Sequence, residues 1–177
     1  MNPIRRILPL ILLTPLALVA CLDAGPRRVR KEPDVLIGRV ARVGDGDTLD
    51  LEGPGRPRLR VRLQGIDAPE LAQDHGREAK AALEALALGR EVQVRTGRKD
   101  AHNRHLGVVL LNGRDLNQAL VAAGHAWHNA RFASELPKET TRRYADAQTE
   151  ARAQRRGLWR VPHPEAPWDW RKRNPRR

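Results

Sequence analysis

A chain of 177 residues, 40% of them hydrophobic, has room for one domain of ordinary size with appendages, and two domains would be crowded. Lysine and arginine outnumber aspartate and glutamate by 33 to 21, a formal charge of +12 with a pI near 11.3, which favours a polyanionic partner such as nucleic acid. Cys21 is the single cysteine, so a disulfide within one chain is excluded.

The first twenty residues read as a targeting segment. Arg5 and Arg6 precede an apolar stretch, Ile7 to Val19, that is too short to remain as a comfortable bilayer-spanning helix. Leu18-Val19-Ala20-Cys21 resembles the lipobox of bacterial lipoproteins, in which the cysteine is acylated and becomes the first residue after cleavage. The expectation is a signal peptide at 1–20 and an acylated Cys21 opening a linker at 21–34. That linker, with Pro26, Arg27, Arg28, Arg30, Lys31 and Pro33, lacks apolar periodicity and reads as a flexible basic spacer. Such a protein would be held by its lipid at the cell envelope, facing the periplasm or the exterior, and would be secreted if the cysteine were not acylated. Removing the leader takes away two arginines and no acids, leaving +10 on the mature chain.

Beyond the linker, alternating and β-branched runs punctuated by glycine predict five strands: 35–43, 48–51, 58–66, 91–96 and 106–111. Helical spacing of apolar residues predicts helices over 77–88, 115–123 and 138–155, the last ending at Gly157. Three strands, a helix, two strands and two helices point to an α+β domain at 35–159 built on a five-stranded OB-type β-barrel with three α-helices. The tail, 160–177, interleaves tryptophans, prolines and basic residues; its tryptophans are expected to pack against the barrel and its basic end to stay free.

Three clusters carry chemistry. Gly44-Asp45-Gly46-Asp47-Thr48 places aspartates on a glycine turn, Arg58, Arg60 and Arg62 alternate along one face of a strand, and Ile66-Asp67-Ala68-Pro69-Glu70 adds two more carboxylates. Carboxylate oxygens suit a hard divalent cation and guanidinium groups suit phosphate, so the set describes a site for phosphodiester chemistry. Asp45 reads as a turn residue, since Asp-Gly is a common turn dipeptide. Periodicity does not choose among the three arginines.

The run from Gly44 to Glu70, the segment from Asp100 to Gly107, Leu116-Asn117-Gln118-Ala119-Leu120-Val121 and Gly157-Leu158-Trp159 together resemble the staphylococcal nuclease (thermonuclease) family over about Val35 to Trp159. The resemblance implies an OB-fold barrel with three helices, a Ca²⁺-dependent endonuclease activity on DNA and RNA, and products ending in 3′-phosphate. It assigns Asp47, Asp67 and the backbone carbonyl of Ala68 to Ca²⁺. The family's first catalytic arginine stands five residues before the aspartate ligand, which selects Arg62 and leaves Arg58 and Arg60 as solvated surface. Arg104 matches the second catalytic arginine, in Asp100-Ala101-His102-Asn103-Arg104. There Asn103 stands where glycine is usual, and asparagine tolerates the left-handed backbone better than most residues. His102 and Ala130 occupy places where the family has tyrosine, which implies weaker base stacking. Glu70, aimed by Pro69, is placed to accept a proton from the attacking water or to orient it.

The implied substrate is DNA and RNA with a preference for single-stranded or unpaired regions, and the expected state is a monomer. The alternative is a nucleic-acid-binding lipoprotein that keeps the fold without catalysis, for which Glu70 and paired metal aspartates would be unnecessary. His102-x-x-His105 and His125-x-x-His128 have spacings compatible with zinc, but solvated or packed imidazoles fit them better.

Overall fold

A computed structural model of the chain describes residues 33–53 and 55–175. The proposed leader, Cys21 and the linker through residue 32 lie outside the described residues. Among the described residues no helix is long and apolar enough to cross a membrane.

The strands are β1 (Asp34–Asp45), β2 (Thr48–Gly53), β3 (Arg56–Leu63), β4 (Ile66–Asp67), β5 (Glu91–Lys99), β6 (His105–Leu111), β7 (Arg114–Asp115) and β8 (Trp127–His128). The helices are α1 (Gly76–Ala87), α2 (Leu116–Ala122), α3 (Lys138–Ala153) and α4 (Pro167–Arg173), with 3₁₀ turns at Ala130–Glu135 and Gly157–Arg160. Period-two burial makes the strands: in β5, Val92, Val94 and Thr96 turn inward between exposed Glu91, Gln93 and Arg95.

Five strands run in the order β3-β2-β1-β5-β6, and β3 then pairs with β6 in parallel, Val61 opposite His105 through Leu63 opposite Gly107, which closes the barrel. Two register shifts in β1, at Val40/Arg42 and Val43/Asp45, give this long strand the curvature that closure demands. Val40, Val43, Leu49, Val61, Leu63, Val94 and Val109 fill the interior, and Ala79 and Leu83 of α1, Leu116 and Leu120 of α2 and Tyr144 of α3 pack onto it. Burying such side chains contributes about 1.5–3 kcal/mol each.

Two polar ties lock the helices to the barrel. Fully buried Asn117 accepts from Val109 N–H at 3.1 Å and donates to the Gln64 and Gly107 carbonyls at 3.0 and 3.1 Å. Tyr144 donates its hydroxyl to Asp115 Oδ2 at 2.8 Å, while Asp115 Oδ1 caps α2 by accepting from Gln118 N–H. Burial first, and Asp115 beside it, raise the Tyr144 pKa. A second cluster joins Ala151, Leu158 and Trp159 to Trp127, whose ring meets Trp159 edge-on at 4.3 Å.

All five strands and three helices expected from the pattern are present, with ends differing by a few residues. Two features differ. The third expected strand breaks at the turn through Gln64 and Gly65, and Ile66–Asp67 pair instead with β8. There is also a fourth helix, α4, in the tail: Pro167 opens it, Asp169 lies in its first turn and Arg171, Lys172 and Arg173 in its last, so its charges complement the helix dipole.

Candidate active site

The β1–β2, β4–α1 and β5–β6 connections and the ends of strands β3 and β4 bring the chemistry-bearing residues to one cleft of about 790 Å³. The two-residue turn between β1 and β2 carries Gly46 and Asp47, with Asp45 Oδ1 accepting from Asp47 N–H at 3.0 Å. This fixes Asp45 as a turn residue, as its sequence context suggested. A Cβ on Gly46 would lie 2.7 Å from the Cβ atoms of both Ala68 and Ala79, so only glycine lets this turn press against α1 and the Asp67–Ala68 segment.

Asp47 and Asp67 are 4% and 1% exposed, and Arg62 bridges them. Its Nη1 lies 2.8 Å from Asp47 Oδ2 and its Nη2 donates to Asp67 Oδ1 at 2.8 Å. The Arg62 Nη1 also donates to the carbonyls of Leu63 and Ile66 at 3.2 and 3.1 Å, which pins the guanidinium in place. Ala68 N–H donates to Asp47 Oδ2 at 2.6 Å. Burial pushes the Asp47 carboxyl well above the usual carboxylate range, with Asp45 and Asp67 adding to the rise and Arg62 opposing it. A buried carboxylate in that condition gains from any further positive charge.

Glu70 is held from its backbone. Its N–H donates to Gln73 Oε1 at 3.1 Å and its carbonyl accepts from Gln73 N–H at 2.8 Å. The start of α1 lies on this turn so closely that a Cβ on Gly76 would meet the Glu70 carbonyl oxygen at 1.9 Å. Gln73 Nε2 reaches on to the Glu165 carbonyl at 2.7 Å, tying the Glu70 turn to the C-terminal tail.

Arg104 lines the same cleft from the other side of the β3–β6 seam. Its Nε and Nη2 lie 2.8 and 2.7 Å from Asp100 Oδ2, and Asp100 Oδ1 accepts from the N–H groups of His102 and Arg104. Burial acts to raise the Asp100 pKa, but these hydrogen bonds outweigh it and hold the carboxyl below its usual value. Asn103 takes φ +59°, the left-handed conformation expected of it. Arg62, Asp47, Asp67 and Glu70 are thus drawn together, and Arg104 faces them with its guanidinium on Asp100.

Two sequence readings need correction, on Arg60 and on the tail. Arg60 is not simply solvated surface: its Nε donates to buried Asp50 at 3.0 Å and the residue lines the cleft, whereas Arg58 does pair in the open with Glu52. The histidines of the second spaced pair are packed, as the sequence reading favoured: His125 stacks on His75, Nδ1 to Nε2 at 3.0 Å, because the start of helix α1 brings His75 against it, and His128 meets the Tyr144 ring edge-on. The basic end of the tail is not free among its described residues. Trp168 does pack, edge-on to Trp127 at 5.5 Å, but α4 then carries Arg171 into the site. There Arg171 Nη2 donates to Asp67 Oδ2 at 2.7 Å and Nη1 to Asp67 Oδ1 at 3.2 Å and Glu70 Oε1 at 2.9 Å. These contacts, Asp67 foremost, raise the guanidinium pKa further, so Arg171 stays charged.

The sequence reading missed Arg171, together with Gln73, Asn129 and Phe132, as residues in or bound to the cleft, and gave Trp170 only a packing role in the tail. Asn129 Nδ2 donates to Asp67 Oδ2 at 3.3 Å, and Phe132, 52% exposed, lines the cleft with Trp170. The alternation of tryptophan with basic residues in a proline-bounded stretch was the available signal for α4.

Among the described residues no group of three or more histidine, cysteine, aspartate or glutamate side chains is arranged to hold a metal ion. The donor chemistry of Asp47 and Asp67 nevertheless fits a hard cation: two buried carboxylates lie one guanidinium apart, beside the Ala68 backbone.

Comparison with known proteins agrees with this geometry. Residues 60–161 match the family model described as staphylococcal nuclease homologue. The chain is 37% identical over 172 residues to an uncharacterized endonuclease of Escherichia coli O157:H7, covering 96% of this chain and 99% of that one. It is 38% identical over 144 residues to a micrococcal nuclease of Shigella flexneri, covering 76% and 80%. Over 115 residues it is 36% identical to a probable staphylococcal-like nuclease of Oryza sativa subsp. japonica, covering 65% of this chain and 30% of that one. A closed five-stranded barrel, a carboxylate and arginine cleft and these matches lead to one conclusion, that the chain belongs to the family of staphylococcal nuclease homologues.

Proposed function

We propose that this protein is a nuclease that hydrolyses phosphodiester bonds of DNA and RNA with the help of Ca²⁺ and leaves 3′-phosphate ends. The observation that carries the proposal is the convergence of Asp47, Arg62, Asp67, Glu70 and Arg104 on one cleft. Hydrolysis with that outcome requires water to attack phosphorus and the 5′ oxygen to leave. Arg62, fixed by two carboxylates and two carbonyls, presents charge that needs no reorganisation as the equatorial oxygens gain negative charge. Arg104 presents a second guanidinium from the opposite wall. Glu70 takes or orients the proton of the attacking water, from a backbone held by Gln73. Asp47, Asp67 and the Ala68 carbonyl would hold Ca²⁺, which when bound neutralises charge on the phosphoryl oxygens. The single-strand preference rests on the open cleft with Phe132 and Trp170 at its rim, and the envelope location through acylated Cys21 rests on the leader.

The test is cleavage of heat-denatured DNA and of RNA by the purified protein, with Ca²⁺ or with a chelator, and analysis of the ends. Glu70→Gln should lower turnover about 10²–10⁴-fold while salt-sensitive binding of nucleic acid persists. Unchanged turnover in that variant would remove Glu70 from the chemistry. Cleavage that survives chelation, or leaves 5′-phosphates, would remove the calcium reading or the product assignment.

A further inference from the structure

The carboxylate of Asp67 is fully occupied. Oδ1 accepts from Arg62 Nη2 at 2.8 Å and from Arg171 Nη1 at 3.2 Å; Oδ2 accepts from Arg171 Nη2 at 2.7 Å and from Asn129 Nδ2 at 3.3 Å. A carboxylate offers about four lone-pair positions, and four donors fill them. By contrast, the Oδ1 of Asp47 has one hydrogen-bond donor among the described residues, the Thr48 hydroxyl at 3.3 Å. A cation can therefore reach Asp67 only if a donor leaves.

The donors differ in how firmly they are held. Arg62 is anchored by Asp47 and by the Leu63 and Ile66 carbonyls, and its side chain is 16% exposed. Asn129 is buried, with its N–H on the Gly65 carbonyl. Arg171 is 40% exposed and projects from a seven-residue helix at the end of the described chain, beyond the residues matched by the family model. The helix has its own attachment upstream, through Gln73 to Glu165, through buried Ala166 and Pro167, and through Trp168 on Trp127. The other ties of its last turn run within the tail itself, Arg173 to the Glu165 carboxylate and Asn174 to the Trp170 carbonyl, so Arg171 can leave the aspartate while the first turn stays docked.

We infer that Arg171 is a latch on the active site, occupying Asp67 and Glu70 until a divalent cation takes its place, so that cation binding and closure of the last turn of α4 exclude each other. The inference rests on the calcium reading above. Arg171 acts on the site through Asp67 and Glu70 and is a positioning residue. Its consequence is that the apparent affinity of the site for the cation equals the intrinsic affinity multiplied by the fraction of molecules with the latch open.

Calorimetric titration of Ca²⁺ alone into the full-length wild type, Arg171→Gln and Lys172→Gln tests it, with hydrogen exchange of the wild type followed over 169–174. Lys172 is on the same helix, is highly exposed and pairs with Asp169, so its variant removes the same charge without touching Asp67. Arg171→Gln should bind Ca²⁺ about tenfold more tightly than wild type, Lys172→Gln should stay close to wild type, and Ca²⁺ should speed exchange in the last turn of α4. Equal affinity of wild type and Arg171→Gln, equal tightening in both variants, or Ca²⁺ binding with no change in exchange each overturns the latch. Failure of all three proteins to bind Ca²⁺ overturns the calcium reading and the latch with it.

Discussion

Replacing Gly76 by alanine sets two effects of opposite sign against each other. Alanine is the better helix former by about 1 kcal/mol, and propensity alone makes the variant more stable. The structure argues the reverse. An added Cβ would lie 1.9 Å from the Glu70 carbonyl oxygen, 2.7 Å from its carbon and 3.0 Å from Leu71 Cα, all backbone atoms without rotamers to yield. Ordinary contact begins at 3.4 Å, so α1 and the Glu70 turn must part by about 1.5 Å, the difference of the two distances. Overpacking of that kind costs about 1–3 kcal/mol, more than the propensity gain. A displacement near 1 Å at a reacting group is enough to cost on the order of 10²-fold in rate. We expect kcat on heat-denatured DNA to fall roughly 100-fold, with KM little changed and Tm lowered. Gly97→Ala is the control, because a Cβ there meets nothing within 4 Å. A Gly76→Ala enzyme with kcat close to wild type and Tm unchanged or raised would refute the claim that α1 positions Glu70.

Two further outcomes follow from the packing. Asn117→Ala strands the buried Val109 N–H and removes one donor from each of two carbonyls, at a cost of about 2–4 kcal/mol; urea denaturation showing a loss below about 1 kcal/mol would contradict the role given to this residue. The His75–His125 pair makes stability depend on pH. Burial depresses both imidazole pKa values below their ordinary 6.5, so the unfolded chain binds protons first as pH falls and the pair's contribution, complete above about 6.5, is lost below it. His75→Asn, which keeps a residue tolerant of the left-handed φ of +66°, should flatten the decline of Tm between pH 7 and 5; a slope equal to wild type would exclude the pair as its source.

The barrel was legible because its strands alternate cleanly: Val92 and Val94 inward, Glu91 and Gln93 outward, is a pattern that one face of buried surface imposes on any sequence. Asp47, Asp67 and Glu70 stood out as carboxylates on short turns, whereas Arg62 was singled out from Arg58 and Arg60 only by the family resemblance; the structure brings all four to one cleft. What spacing does not encode is which elements meet in space. Arg171 is separated from Asp67 by 104 residues, and a seven-residue helix bounded by prolines has too little apolar periodicity to announce itself. Arg60 was misread for a related reason, since the buried acid that holds it, Asp50, lies on the neighbouring strand. The His125 pairing with His75 likewise depends on where α1 docks.

The parallel seam between β3 and β6 joins segments more than forty residues apart in the chain, and it is also where Arg62 and Arg104 come to face each other. Contacts of such sequence separation are costly in loop entropy and form late in folding. The two halves of the site, Arg104 on one and the remaining residues on the other, are therefore not joined in any state in which the barrel is still open. Catalytic competence becomes a reporter of ring closure, and progressive denaturant should extinguish cleavage in step with exchange at the seam rather than with loss of the helices.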